Sequence, residues 1–157
     1  MLKRVISGFQ TGADIAGILS ARRFGLATGG WMPKGYLTET GPRPDYILYG
    51  AIEMATPQYP PRTRMNAKHS DLTIWFGKDD SAGLKCTRNA CREAGKQIVM
   101  IVKPADMPPE RLAELLIGIQ IVNVAGNRES ISPGICDRVQ RHLDTTFTLM
   151  GLTRNGN

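Results

Sequence analysis

Near the start of the chain the apolar run Val5-Ile6 breaks into Ser7-Gly8-Phe9-Gln10-Thr11-Gly12-Ala13-Asp14 and then becomes amphipathic. A strand that feeds a glycine-rich turn and then a helix is the opening unit of an α/β fold, since the helix carries the chain back to lay a parallel neighbour beside the first strand. Such a turn also directs unpaired backbone N–H groups outward at the positive end of the helix dipole, where anions bind. Gly8 and Gly12 allow a close backbone approach, while Gln10, Thr11 and Asp14 offer polar side chains. The stretch is neither Gly-x-Gly-x-x-Gly nor a lysine-bearing P-loop, so an ordinary tight strand-to-helix connection explains it equally well.

The alternation continues. A helix is expected from about Ala13 to Phe24, then a loop Ala27–Tyr36 too rich in Gly and Pro for more than a short strand start. The segment Thr38–Pro61 carries five prolines and reads as an ordered excursion over one end of the sheet, a natural lid. Pro60-Pro61 can start a helix that ends at Ser70-Asp71. The rest alternates: strand 72–76, a helix to about Ala94, a fully buried strand Ile98–Val102, helix 108–118 with Leu112, Leu115 and Leu116 inward, and strand 121–125. A last helix carries Ile135, Val139, Leu143 and Phe147 at i+4 spacing. Four or five strands alternating with helices mean one Rossmann-like α/β domain, mainly parallel, with helices on both faces. The 157 residues, 41% hydrophobic, suffice for one core, read as residues 1–152, with 153–157 as a disordered tail.

Apolar runs fall well short of the roughly 20 residues of a membrane span and no signal-peptide core is visible, so the chain reads as a soluble cytoplasmic protein without a membrane partner. Cys86, Cys91 and Cys136 form no even disulfide set, and with two histidines they complete no readable metal site. The formal charge of +6 favours anionic partners of any kind.

In a parallel sheet covered on both faces, ligands bind beyond the carboxyl ends of the strands where the strand order reverses. The polar loops 8–14, 29–35, 78–83 and 126–130 all leave strand ends there, and they define a candidate pocket. Arg62 and Arg128 flank its mouth, where guanidinium forks suit phosphate oxygens, with Asn66, Ser81, Gly83, Thr87, Glu129 and Ser130 beside them. Trp31 can stack on a pterin or purine ring, with Gly30 beside it and Lys34 on a phosphate; it can equally plug the core, leaving Lys34 solvated.

The segments ISGFQTGAD, GGWMPKG, PPRTRMNAKHSD and NVAGNRESISPGI, in order from Ile6 to Ile135, resemble the molybdenum-carrier family. This is a branch of the Rossmann-like SLOG superfamily that also contains the LOG, or lysine decarboxylase-like, enzymes. The resemblance implies a compact, often homo-oligomeric domain whose glycine-rich loops hold a phosphorylated ligand, for the carrier branch the molybdenum cofactor. The family's Gly-Gly-Gln-Thr-Gly-Ala-Asp opening carries over as Gly8, Gln10, Thr11, Gly12 and Asp14, with Phe9 replacing the second glycine, where it can narrow the pocket or stack on a ring. The family's second phosphate loop has a Gly-Gly-Thr-like turn where this chain has Ser81-Ala82-Gly83-Leu84-Lys85-Cys86-Thr87.

Phosphoribohydrolases of the LOG type use Gly-Gly-x-Gly-Thr-x-x-Glu, and setting Thr87 on that threonine puts Ala90 where the catalytic glutamate would stand. Alanine can be neither acid nor base. Asp14, Asp71, Asp79, Asp80 and Glu129 remain as carboxylates near the mouth. His69 in a basic helix and His142 on the outer flank of the last helix read as surface residues. Lys85, Arg88, Arg92 and Lys96 share one helix face, but without a nucleic-acid motif a solvated face is the simpler reading. The expectation is therefore a non-catalytic protein, carrier, sensor or sequestering agent, that holds a phosphorylated, ring-bearing ligand, either nucleotide-derived or the molybdenum cofactor. A nucleotide or nucleotide-sugar hydrolase is the alternative.

Overall fold

The computed structural model describes residues 1–156. The first half comprises β1 (Arg4–Ile6), α1 (Ala13–Arg23), β2 (Ala27–Met32), a small hairpin β3 (Leu37–Thr38) and β4 (Gly41–Pro42), a 3-10 turn Pro44–Tyr49, and β5 (Ala51–Glu53). The second half comprises α2 (Tyr59–Lys68), β6 (Leu72–Phe76), α3 (Ala82–Ala94), β7 (Gln97–Ile101), α4 (Pro109–Leu115), β8 (Ile121–Gly126) and α5 (Ile135–Leu149). Six parallel strands form the main sheet in the order β5-β2-β1-β8-β6-β7. The fold is the expected Rossmann-like α/β domain, with six strands in place of the four or five the sequence pattern showed.

Two strands escaped that pattern for identifiable reasons. In β2 the pair Gly29-Gly30 erases the hydrophobic alternation, yet Gly30 (φ +130°) is what lets β2 run against β1: a Cβ there would fall 2.0 Å from the Ser7 carbonyl oxygen. In the proline-rich excursion, Ala51–Glu53 adds an edge strand to β2, so the supposed lid is partly sheet. Its 3-10 turn contributes Tyr46 to a small core with Phe9, Ile18 and Met32.

Strand parity sorts the two faces. On β8, Val122 and Val124 face α1 and α5 in the main core, while Asn123 shares the opposite face with Thr73 of β6, next to which it is registered. The α1 contact is made by small residues; a Cβ on Gly17 would lie 2.6 Å from Val124 Cβ. Along α5, Ile135, Val139, Leu143 and Phe147 are buried as the i+4 spacing requires, and burying Phe147 fully is worth about 1.5 to 3 kcal/mol. On the other face α2 packs on α3 through Ala67, Ala90 and Cys91.

Four details depart from the sequence reading. β7 lies at the sheet edge and is only half-buried, because nothing pairs beyond it. Leu115 is partly exposed, at 38%, while Leu112 and Leu116 are buried. His142 is buried rather than on the surface, edge-on to Phe76 at 5.7 Å, and burial holds its imidazole below the usual histidine range. The chain after α5 folds back on α5 and α1: Arg154 pairs with Asp144 of α5 at 2.9 Å and Asn155 N–H donates to the Arg23 carbonyl of α1 at 2.8 Å. Residue 157, the end of the expected tail, lies outside the described residues. No described helix is long and apolar enough to cross a membrane.

Candidate functional site

The first halves of α2 and α3 stand off from the carboxyl half of the sheet and leave a cavity of about 310 Å3. Its sheet wall is made by Trp75, Asn123, Ala125 and Gly126, its helix walls by Tyr59, Arg62, Thr63 and Asn66 on one side and Gly83, Cys86 and Thr87 on the other. The rim carries Arg128 and the exposed Ile131. It lies beyond β1, β8 and β6, where the chain's strand order reverses.

Asp14 is the one carboxylate lining this cavity among the described residues. It sits in the first turn of α1 and is buried; its Oδ2 accepts from the Gln10 N–H at 3.3 Å and from Arg62 Nη1 at 3.1 Å. Burial pushes its carboxyl above the ordinary aspartate range, against the opposing pull of Arg62 and of backbone donors. Arg62 in turn keeps a buried Nε with no partner. Two guanidiniums lie over the Tyr59 ring, Arg62 at 5.3 Å and Arg128 at 5.6 Å from its centroid. The electropositive end of the cavity is thus built around an aromatic platform.

Of the residues singled out in the sequence, Gly8, Gln10, Asp14, Arg62, Asn66, Ser81, Gly83, Thr87 and Arg128 lie together in this lining. Several are already engaged by the fold. Gln10 Oε1 accepts from the Thr11 and Glu39 N–H groups, and its Nε2 donates to the Tyr59 hydroxyl. Asn66 bridges α2 to β2, accepting from Trp31 N–H at 3.0 Å and donating to Trp31 O at 3.1 Å. Ser81 caps α3 by accepting from Leu84 N–H at 3.2 Å, Thr87 donates to the Gly83 carbonyl, and Gly83 lacks the side chain that would press on the Trp75 ring.

The remaining candidates lie outside the lining. Phe9 (φ +58°) is turned into the core against Tyr46 at 5.5 Å, so its ring is not offered to a ligand. Gly12 (φ +81°) packs on backbone: a Cβ there would fall 2.4 Å from the Asn127 carbonyl oxygen, which makes a side chain at this position a folding defect. Gly30 serves the β1–β2 approach, Trp31 stacks on His69 at 4.6 Å, and Lys34 is exposed. Thr11 and Ser130 both donate to Glu39 at the tip of the β3–β4 hairpin, clasping it to the β1 and β8 loops. Glu129 accepts from the Gly134 and Cys136 N–H groups, capping α5 from outside the helix. Of the other carboxylates named above, Asp79 and Asp80 are exposed and outside the lining, and Asp71 accepts from the Gln120 and Ile121 N–H groups at the far end of β8.

Tyr59, Trp75 and Asn123 were not singled out, although they shape the cavity more than the loop residues do. Asn123 carried the readable signal: a lone amide in the apolar run Ile121–Ala125 must find partners or a purpose. Its Nδ2 donates to Thr73 Oγ1 at 3.1 Å, and its Oδ1 is buried without a partner.

No curated protein matches the chain. A crystal structure of the "Putative molybdenum carrier protein" of Syntrophus aciditrophicus SB is similar over 95% of this chain and 94% of that one, with 29% identity and a TM-score of 0.79. The sequence also matches the family model described as the circularly permutated YpsA SLOG family over residues 5–147. With nearly the whole chain covered by that match, the protein belongs to the circularly permutated YpsA SLOG family.

Proposed function

We propose that the protein binds a phosphorylated, ring-bearing small molecule in the cavity between α2, α3 and the sheet, and holds it without chemical change. The carrying observation is the Tyr59 ring with Arg62 and Arg128 both over it, and the buried Arg62 Nε without a partner among the described residues. A phosphate oxygen supplies the acceptor that this nitrogen lacks, and a guanidinium partly removed from water binds it more strongly than an exposed cation would. A cavity of about 310 Å3 lies at the small end of the range for ligand sites. A nucleoside phosphate and the pterin phosphate of a molybdenum cofactor share the two features such a cavity selects, an anionic end and a flat heterocycle. The name of the Syntrophus protein favours the second as cargo.

Binding rather than hydrolysis is supported by the acid inventory. Setting Thr87 on the threonine of the LOG turn puts Ala90, packed between α2 and α3, where the catalytic glutamate would stand, and the one carboxylate lining the cavity among the described residues is already ion-paired with Arg62. Native mass spectrometry of protein purified from its own host, followed by denaturing release, tests the reading. The expected result is an intact phosphorylated heterocycle at near-unit occupancy. Release of a free base from nucleoside monophosphates faster than about one turnover per minute, lost in Asp14→Asn, would establish the hydrolase instead.

A further inference from the structure

We propose that Asn123 selects the ligand's ring, accepting a hydrogen bond from an N–H on its edge at the floor of the cavity. The inference rests on the phosphate-pocket reading above and adds an orientation and a chemical class to it. The two ends of the cavity ask for opposite partners. At the outer end, Arg62 and Arg128 are donors that want an acceptor. At the inner end, the free group is an acceptor: Asn123 is 2% exposed, its Nδ2 is held by Thr73 Oγ1, and its Oδ1 is buried without a partner. Phosphate oxygens at neutral pH offer no proton to that oxygen, so the anionic end cannot be the one that enters first.

The spacing along β8 supports the same orientation. Three strand steps run from Asn123 to Gly126, about 10 Å at the rise of a parallel strand, and Arg128 follows in the loop beyond. That matches the reach from the base edge of a nucleoside to its 5′-phosphate. Between the two ends Trp75 and Ala125 give the sheet wall a flat, largely apolar surface, and Gly83 opposite Trp75 keeps the slot open. The class so defined is a heterocycle with an amino or lactam N–H on its leading edge, an aminopurine, an oxopurine or a pterin, carrying a phosphate at the other end.

The test is calorimetric titration at fixed ionic strength with AMP, GMP, 6-hydroxymethylpterin phosphate, purine riboside 5′-monophosphate and ribose 5-phosphate. Purine riboside carries no ring N–H. In the wild-type protein at least one N–H-bearing ligand is expected to bind about tenfold or more tightly than purine riboside 5′-monophosphate, the cost of leaving a buried acceptor unpaired. In Asn123→Ala that gap should fall below about threefold while ribose 5-phosphate binds as before. Equal wild-type affinities for ligands with and without the N–H, or a gap that survives Asn123→Ala, overturn the assignment and leave the phosphate pocket standing. The first of these comparisons needs no variant, so a folding defect in Asn123→Ala does not blunt it. Failure of every probe, ribose 5-phosphate included, overturns both readings together.

Discussion

The guanidinium of Arg62 occupies the space that a side chain at position 8 would fill: a Cβ built on Gly8 falls 1.3 Å from Arg62 Nη1 and 2.8 Å from Asp14 Oδ2. The first glycine of the chain's signature turn thus makes room for a side chain from α2, and through it for a buried ion pair, before it makes room for any ligand.

Removing Arg62 strands Asp14 as an unpaired buried acid. Arg62→Ala is expected to destabilise the fold by about 3 kcal/mol, as breaking one side of a buried pair does. Adding Asp14→Asn should recover much of that loss, since the amide needs no counter-charge. Gly8→Ala should displace Arg62 and copy its effect on phosphate binding. Urea unfolding of the single and double variants measures the coupling, and strict additivity would show that the pair does not interact.

Arg62 and Arg128 should outrank the basic face of α3 in binding phosphate esters. Arg128→Ala is expected to weaken binding about tenfold at 0.15 M salt, whereas Arg88→Ala with Arg92→Ala should change it less than about threefold, because exposed charges beyond roughly 8 Å are screened. Arg88 and Arg92 lie outside the cavity, with their guanidiniums on Met100 and Asn89. The opposite ranking, with a steep salt slope, would point to a polyanion on the α3 face.

Glu129 should matter to stability and not to ligand. The residue preceding α5 is Gly134, which has no side chain to cap with, so the Glu129 carboxylate serves the first N–H groups of that helix. Glu129→Ala is expected to cost about 1 kcal/mol, the usual worth of a cap, read as a lower melting temperature with unchanged affinity. A loss of affinity at unchanged stability would return Glu129 to the site.

The β3–β4 hairpin should loosen in acid. Burial works against the Glu39 charge, but hydrogen bonds from Ser130 and Thr11 outweigh it and hold the carboxyl below its ordinary value of 4.5. With the folded value below the unfolded one, the clasp's contribution is complete above about pH 4.5 and is lost as pH falls through the folded value. Protection of the amides of residues 37–42, measured relative to intrinsic exchange at each pH, should fall over that range in the wild type. In Glu39→Gln that pH dependence should vanish.

The α/β class was legible because runs such as Leu72–Phe76 and the i+4 ladder of α5 obey simple periods. β2 and β5 were not, since Gly29-Gly30 and the proline-rich surroundings of Ala51 carry no alternation and acquire their conformation from β1 and from one another. Loop composition pointed to the end of the sheet where the cavity opens, but it overvalued the loop residues themselves. Phe9, Gly12, Thr11 and Glu129 look like ligand chemistry in one dimension, and in three they close turns, clasp a hairpin and cap a helix. Tyr59 and Trp75 were hidden for the converse reason, and Asn123 showed only as a lone amide in an apolar run: which face a strand residue presents, and which helix stands opposite, are matters of packing between distant segments.

β8, the last strand along the chain, lies between β1 and β6. Until it docks, β5-β2-β1 and β6-β7 are separate half-sheets, and the α2–α3 layer has no continuous floor. Sheet closure therefore joins contacts far apart in sequence, a slow step by the measure of contact order. A ribosome-bound chain that has not yet released residues 121–126 has neither Asn123 nor Arg128 to offer. On the proposed binding role, ligand capture would begin only with a fully assembled sheet, and by mass action the ligand would stabilise that assembled state rather than any shorter nascent intermediate.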